Sequence, residues 1–355
     1  MSFYEISTSD RITFKRCRRK WDFSSSLRKR VEPASQPVNV KLWFGTGFHF
    51  ALEDYHGYNI FKDPCKALDA YYNAFESHEL PEGAKDAIEL GKRMFAHYLN
   101  WDRLYQYQYE TVWLENAPLV EQNFYLELTE LTENIGIPVY YKGTIDRLVI
   151  DSSGNYWIQD YKTAAQMDTS KLLLDPQISA YVWATEQYYQ VDIEGVLYTQ
   201  FAKKAPEPPQ ELKKGGFSKS KSQSTTFYLY RDTLKTAYGE IPEEYNDILD
   251  YLERQITDEG DQYVRTDKVI RNRQSKENTY RHIVAEAKEM INPELNTYPN
   301  PTRDCSWDCP YMPLCLLMDE GGDWEYQLKN FYKPREEVRD AWKLKIPELK
   351  KEESQ

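Results

Sequence analysis

A chain of 355 residues, 41% hydrophobic and 15% aromatic, can bury a sizeable core, which excludes a disordered or low-complexity protein. Its net charge of −12 excludes a generally basic nucleic-acid binder, because phosphate neutralisation is the main sequence-independent source of such affinity. No apolar run approaches the roughly 20 residues that cross a bilayer, and the opening MSFYEISTSDRITFKRC lacks the apolar core of a secretion signal, so a cytoplasmic protein with no membrane partner is expected.

The first predicted feature is a charge run. Between Arg11 and Arg30 nine basic residues stand against one acid, Asp22. Two more basic stretches follow, one over Lys203, Lys204, Lys213, Lys214, Lys219 and Lys221, the other over Arg265, Lys268, Arg271, Arg273, Lys276 and Arg281. One such run is usually a solvated face; three on an acidic protein point to local anion contacts. LWFGTGFHFALEDYHGY, Leu42 to Tyr58, reads as the start of a helix that places His49 and Glu53 on one face. A helical insert is predicted over about 60–110, broken at ELPEG.

Strand patterns follow over about 111–129, over VYYKGTIDRLVI (Val139 to Ile150) and over NYWIQDYKT (Asn155 to Thr163), the last two joined as a hairpin by the turn DSSGN. A helix from Pro176 to Tyr189 and a strand IEGVLYTQFAK complete an order of helix, three strands, helix, strand, which predicts an α/β fold with a mixed central sheet flanked by helices. Residues 205–224, rich in Pro, Lys, Ser and Gly, read as a long exposed loop, and helices are predicted over about 231–256 and 276–291. Residues 334–355 read as a charged, peripheral tail.

Side chains alternate along a strand, so Asp160 and Lys162 share a face, and the hairpin can bring Asp146 to it. Two converging carboxylates beside an ammonium suit a hard divalent ion such as Mg2+ or Mn2+. The matching chemistry is phosphodiester hydrolysis: a cation held by Asp146 and Asp160 polarises the phosphate and lowers the pKa of a water, Lys162 orients that water or stabilises developing charge, and His49 completes the coordination. The spacing alone is a weak signal, because Asp/Lys pairs on strands are most often surface ion pairs.

The ordered set Gly45, His49, Glu53 (G-x3-H-x3-E), Gly143 to Arg147 (GTIDR), Asp160 to Thr163 (DYKT) and Gln177, Tyr181 (Q-x3-Y) resembles the PD-(D/E)XK nucleases. It is most similar to the RecB-type exonuclease branch, which includes the CRISPR-associated RecB-like exonucleases and the AddB nuclease domain. The resemblance implies that His49, Asp146, Asp160 and the carbonyl of Tyr161 hold the metal, that Lys162 is catalytic, and that Gln177 and Tyr181 face the site or DNA. Glu53 matches the motif with either a structural or a catalytic part. Ile145 stands where the family name has proline. The implied protein is a metal-dependent exodeoxyribonuclease acting at single-stranded or duplex DNA ends in recombination, repair or replication. It would form one elaborated domain over 1–333. The alternative is a catalytically silent DNA-end-binding subunit of a helicase–nuclease or recombination complex. The chain has no G-x4-G-K-S/T sequence, so any helicase motor belongs to a partner.

Three of five cysteines lie in DCSWDCPYMPLC, as Cys305, Cys309 and Cys315; Cys17 and Cys65 are distant. Four thiolates suit tetrahedral zinc or an iron–sulfur cluster, and spacing does not separate the two. Within the resemblance, Cys17, Cys305, Cys309 and Cys315 match the four ligands of a 4Fe–4S cluster that staples the two ends of the core, although the usual triplet spacing is one residue shorter. Cys65 reads as a small buried side chain. The same joining would bring Arg16, Arg18, Arg19, Lys20 and Trp21 to a strand entrance as DNA contacts.

Overall fold

A computed structural model describes residues 3–335 except 36, 107 and 258, so the expected charged tail lies almost wholly outside the described residues. The chain opens with β1 (Tyr4–Ser7), and Ser7 starts α1 (Thr8–Arg16) through a reciprocal capping box with Asp10. Cys17 ends α1, and its sulfur accepts from the Lys20 N–H to begin α2 (Arg18–Ser24). After β2 (Val31–Pro33), Asn39 caps α3 (Val40–His56). Asp63 caps α4 (Pro64–Asn73), which carries proline in its first turn, and α5 (Ala84–Trp101) completes the expected helical insert.

The strand expected over about 111–129 is cut into β3 (Tyr109–Thr111), β4 (Trp113–Leu114), β5 (Ala117–Pro118) and β6 (Val120–Glu127). The break falls at the turn between β4 and β5, where Glu115 and Asn116 both have positive φ, a conformation uncommon in strands. A short helix the sequence pattern did not show, α6 (Thr129–Ile135), leads to β7 (Val139–Asp151) and its hairpin partner β8 (Tyr156–Ala164). Then come α7 (Pro176–Tyr189), β9 (Ile193–Ala202), α8 (Phe227–Tyr238), α9 (Asn246–Glu253), β10 (Val264–Ile270) and α10 (Arg273–Met290). The chain closes with α11 (Cys305–Asp308), α12 (Met312–Glu320), α13 (Trp324–Phe331) and β11 (Tyr332–Pro334). Strand β10 was hidden in the sequence because its Arg265, Asp267 and Lys268 read as part of a basic run, while its buried Val264, Thr266 and Val269 are few.

The sheet is mixed, in the order β1-β7-β8-β9-β10, with β3 and β6 also on β7. β7 is long enough to serve two partners on each edge. Along one edge β1 pairs in parallel with residues 139–142, and β8 pairs antiparallel with 147–150. β6 and β3 fill the other edge. Beyond Gln159, β8 leaves β7 and stays parallel to β9 as far as Ala164. The sheet therefore forks at Asp146.

Helices cover both faces. Under α1, α7 and α10 lies an apolar core that includes Ile6, Leu148, Ile158, Val196, Ile178 and Ile283. On the opposite face α3 brings Phe44 and Phe48, and the helical insert Phe95 and Tyr98, against Tyr161 and Phe201. Phe48 and Phe95 stack at 4.2 Å between centroids, and replacing either by alanine should cost about 3–5 kcal/mol. α3 can approach α4 this closely because residue 47 is glycine: a Cβ there would lie 2.6 Å from the Tyr71 ring. Residues 205–224 form the long, mostly exposed loop expected, with one anchor. They turn at Gly215 and Gly216, both with positive φ, and bury Phe217 in a small core with Tyr230, Leu234, Tyr245, Ile248 and Leu249.

The two ends of the described chain meet. β2 pairs antiparallel with β11, Phe23 stacks on Tyr311 at 5.3 Å, and the Tyr311 hydroxyl donates to the carbonyl of Val31 at 2.6 Å.

Candidate active site

Where β8 departs from β7, the backbone pairing has ended at Gln159, and the N–H of Tyr161 donates to the side chain of Asp146, at Oδ2, 2.7 Å away. That bond carries Asp146 across the fork toward Asp160 and Lys162. Lys162 Nζ lies 3.2 and 3.1 Å from the two oxygens of Asp160, whose carboxylate is buried. From α3, His49 points its Nδ1 to within 3.6 Å of Asp146 Oδ2 and 3.4 Å of Glu121 Oε1. Ligand atoms of His49, Glu121 and Asp146 all lie within 4.8 Å of one another.

Electrostatics follow from this crowding. Burial raises the Asp146 carboxyl well above the ordinary range, and neighbouring Asp160 adds to the shift against the opposing pull of His49 and Lys162. Burial works against charge on His49, yet Asp146 and Glu121 outweigh it and raise the imidazole. Lys162 is likewise desolvated, but Asp160 and Asp146 hold its ammonium above the usual lysine value. Tyr181, on α7, sits among Asp160, Lys162 and Asp146; burial first, then the Asp160 carboxylate, raises its phenol. The donor set of one imidazole nitrogen and several carboxylate oxygens fits a divalent cation.

Thus the structure brings His49, Asp146, Asp160, Lys162 and Tyr181 to one place. Tyr161 contributes its N–H and turns its ring to the insert core. Gln177 is half-buried one turn ahead of Tyr181, and Glu53 is half-buried one turn beyond His49, outside the three-ligand group. The sequence reading missed Glu121. It lies beside Gln122, which pairs with Ile145, so the antiparallel register sets it opposite Asp146. Its backbone is left-handed, φ 47°, a strained conformation for a residue with a Cβ, of the kind found where a side chain must be aimed at a site.

The expected DNA contacts near the N-terminus do not stand free. Arg16 bridges Asp304 and Asp308 at 3.1 and 3.0 Å, Arg18 pairs with Glu289, Arg19 with Asp319 at 2.8 Å, and Lys20 with Asp308 at 3.3 Å. Trp21 is fully buried against Phe14, so it offers no surface for base stacking. Their partners are acids some 270–300 positions away, which no local charge count reveals.

That joint also carries the cysteines. Cys17 Sγ accepts from the N–H groups of Lys20 and Asn300 at 3.5 and 3.4 Å, Cys305 Sγ from Thr302 N–H at 3.4 Å, and Cys315 Sγ from Arg19 at 3.4 Å. Burial, helped by nearby Cys305 and Cys17, pushes the Cys309 thiol up. Among the described residues, the cysteines do not close into a group as tight as the one at Asp146. Cys65, half-buried, donates to the carbonyl of Lys92 at 3.7 Å, away from the others.

A sequence model of the PD-(D/E)XK nuclease superfamily matches residues 5–316. No curated protein matches the chain. A solved structure titled "Crystal structure of SSO0001" aligns over 88% of this chain and 85% of its own, at 12% identity and a TM-score of 0.33. Among the described residues no helix is long and apolar enough to cross a membrane.

Proposed function

From the premise that the chain belongs to the PD-(D/E)XK nuclease superfamily, matched over residues 5–316, we propose that it is an exodeoxyribonuclease of the RecB-type branch, with its active site at the β7–β8 fork. The observation that supports this most is the convergence of His49, Glu121 and Asp146 beside the Asp160–Lys162 pair. His49, Asp146, Asp160, Glu121 and the Tyr161 carbonyl would hold Mg2+ or Mn2+, which when bound supplies Lewis-acid polarisation of the phosphodiester and a more acidic water. Lys162, kept charged by two carboxylates, stabilises negative charge that develops on the phosphoryl oxygens and orients the attacking water. Tyr181 and Gln177 line the wall of α7 over the same strand ends and position the substrate. Glu53 supports His49 from one turn away.

In this reading residues 1–333 act as one nuclease domain, and Cys17, Cys305, Cys309 and Cys315 hold a 4Fe–4S cluster. What supports the cluster is the meeting of residue 17 with the C-terminal cysteines, where N–H groups of Lys20, Asn300, Thr302 and Arg19 lie 3.4–3.5 Å from the sulfurs of Cys17, Cys305 and Cys315, contacts of the kind that tune a bound cluster. The substrate is a DNA end, processed in recombination, repair or replication, with unwinding left to a helicase partner.

The test is digestion of end-labelled single-stranded and duplex DNA by anaerobically purified protein of known iron content, with Mg2+, Mn2+ or EDTA, beside Lys162→Ala. Metal-dependent release of nucleotides that the variant loses is the expected result. Intact protein that binds ends without cutting them would instead make it a silent end-binding subunit.

A further inference from the structure

Away from the metal ligands, α3 runs across the ends of β8 and β9. At Gly45 it passes so near β8 that a Cβ there would lie 3.7 Å from Thr163 Oγ1. One turn earlier is Lys41, which is exposed, and beside it stands Lys203, just past β9. Lys203 is fixed in place: its N–H donates to the Ala164 carbonyl at 2.7 Å, extending the β8–β9 pairing by a step. Its Nζ donates to the Lys41 carbonyl at 3.3 Å and lies 5.5 Å from the centre of the Phe44 ring.

Neither ammonium has a carboxylate partner among the described residues, in contrast to the cations of α1 and α2. Burial, and then the charge of Lys41, depress the Lys203 ammonium below its usual value, so the free protein holds two like charges at a cost. An anion relieves that cost. α3 also begins here, and its dipole adds positive potential.

The place is set by the fold. Lys41 is eight residues from His49 along α3, about 12 Å. Lys203 is three residues beyond Gln200, the neighbour of Lys162, about 10 Å along the strand. That separation is too long for the scissile phosphate and suits a neighbouring one on the same strand. We propose that Lys41 and Lys203 form a phosphate subsite that grips the DNA strand next to the nucleotide being cut. This rests on the nuclease reading above.

The experiment is fluorescence anisotropy of a labelled single-stranded oligonucleotide over a series of salt concentrations, with Ca2+ replacing Mg2+ to suppress cleavage. It compares wild type with Lys41→Ala, Lys203→Ala, Lys203→Arg and Lys288→Ala, the last an exposed cation on α10, which packs on α7 and α1 rather than α3. Each alanine at 41 or 203 should weaken binding about fivefold and lower the slope of log K against log salt by about 0.7. In Mg2+ it should raise KM while kcat stays within about twofold, and Lys203→Arg should recover most of the affinity. Slopes and KM indistinguishable from Lys288→Ala, in protein that cuts DNA, would overturn the subsite alone. Wild type that neither binds nor cuts DNA would overturn the nuclease reading and the subsite with it.

Discussion

The fork of the sheet and the joint of the chain ends treat charge in opposite ways. At the fork, three carboxylates face one imidazole and one ammonium, and burial lifts Asp146 because its charge is incompletely answered. At the joint, Arg11 and Lys15 share Glu286 at 2.7 and 3.1 Å, and Arg16, Arg18, Arg19 and Lys20 each meet an acid of the C-terminal segment. Unanswered charge marks a place made for a ligand, whereas matched charge marks a place made for assembly. The same rule separates Lys41 and Lys203 from the basic run near the N-terminus, which the sequence alone presented as the better DNA contact.

The sharpest way to break this comparison is to neutralise one member of each region. Asp160→Asn should lower kcat on DNA by about a thousandfold or more, since it removes a proposed cation ligand and the ion-pair partner of Lys162. Its thermal midpoint in EDTA should change little, because loss of the Lys162 ion pair is offset by relief of the repulsion between Asp160 and Asp146. A midpoint that drops by several degrees would mean that the fork, too, is structural. Arg11→Ala should do the reverse. Its side chain is only 3% exposed and holds Glu286, so its loss should cost about 3 kcal/mol in denaturant unfolding and leave kcat and the salt dependence of DNA binding unchanged. A flattened salt slope would return the basic run to the DNA-binding surface.

What the sequence made legible depended on how local the signal was. GTIDR and DYKT lie in one hairpin joined by a turn whose residues specify it, so the convergence of Asp146, Asp160 and Lys162 could be read from strand alternation. His49 and the pair Gln177, Tyr181 came from motif order. Glu121 could not, because its place depends on the register of β6 on β7 and on a left-handed backbone that no residue pattern announces. The sheet edges were hidden for similar reasons: β1 is four residues long, and β10 is masked by its charges. The cysteines suggested that residue 17 meets residues 305–315; the structure places Arg19 on Cys315 Sγ, and β2, β11 and the Phe23–Tyr311 stack join the same two ends.

The smallest expected effect is the most discriminating for the joint. Arg18 lies between the rings of Phe14 and Tyr298, at 5.0 and 5.3 Å, and pairs with the half-exposed Glu289; Arg19 pairs with Asp319, which is 57% exposed. Such solvent-facing pairs contribute about 0.2–1 kcal/mol each, so Arg18→Ala and Arg19→Ala should barely move the unfolding midpoint. DNA affinity should change by less than about twofold, because these cations are already neutralised and release few counterions on binding. Arg19→Ala carries one further expectation: it removes the donor to Cys315 Sγ, so an iron–sulfur cluster held there should shift in reduction potential while its iron content is kept. Anisotropy and anaerobic voltammetry on one preparation separate the two effects. A tenfold loss of DNA affinity with an unchanged potential would show that the guanidinium serves the strand rather than the sulfur.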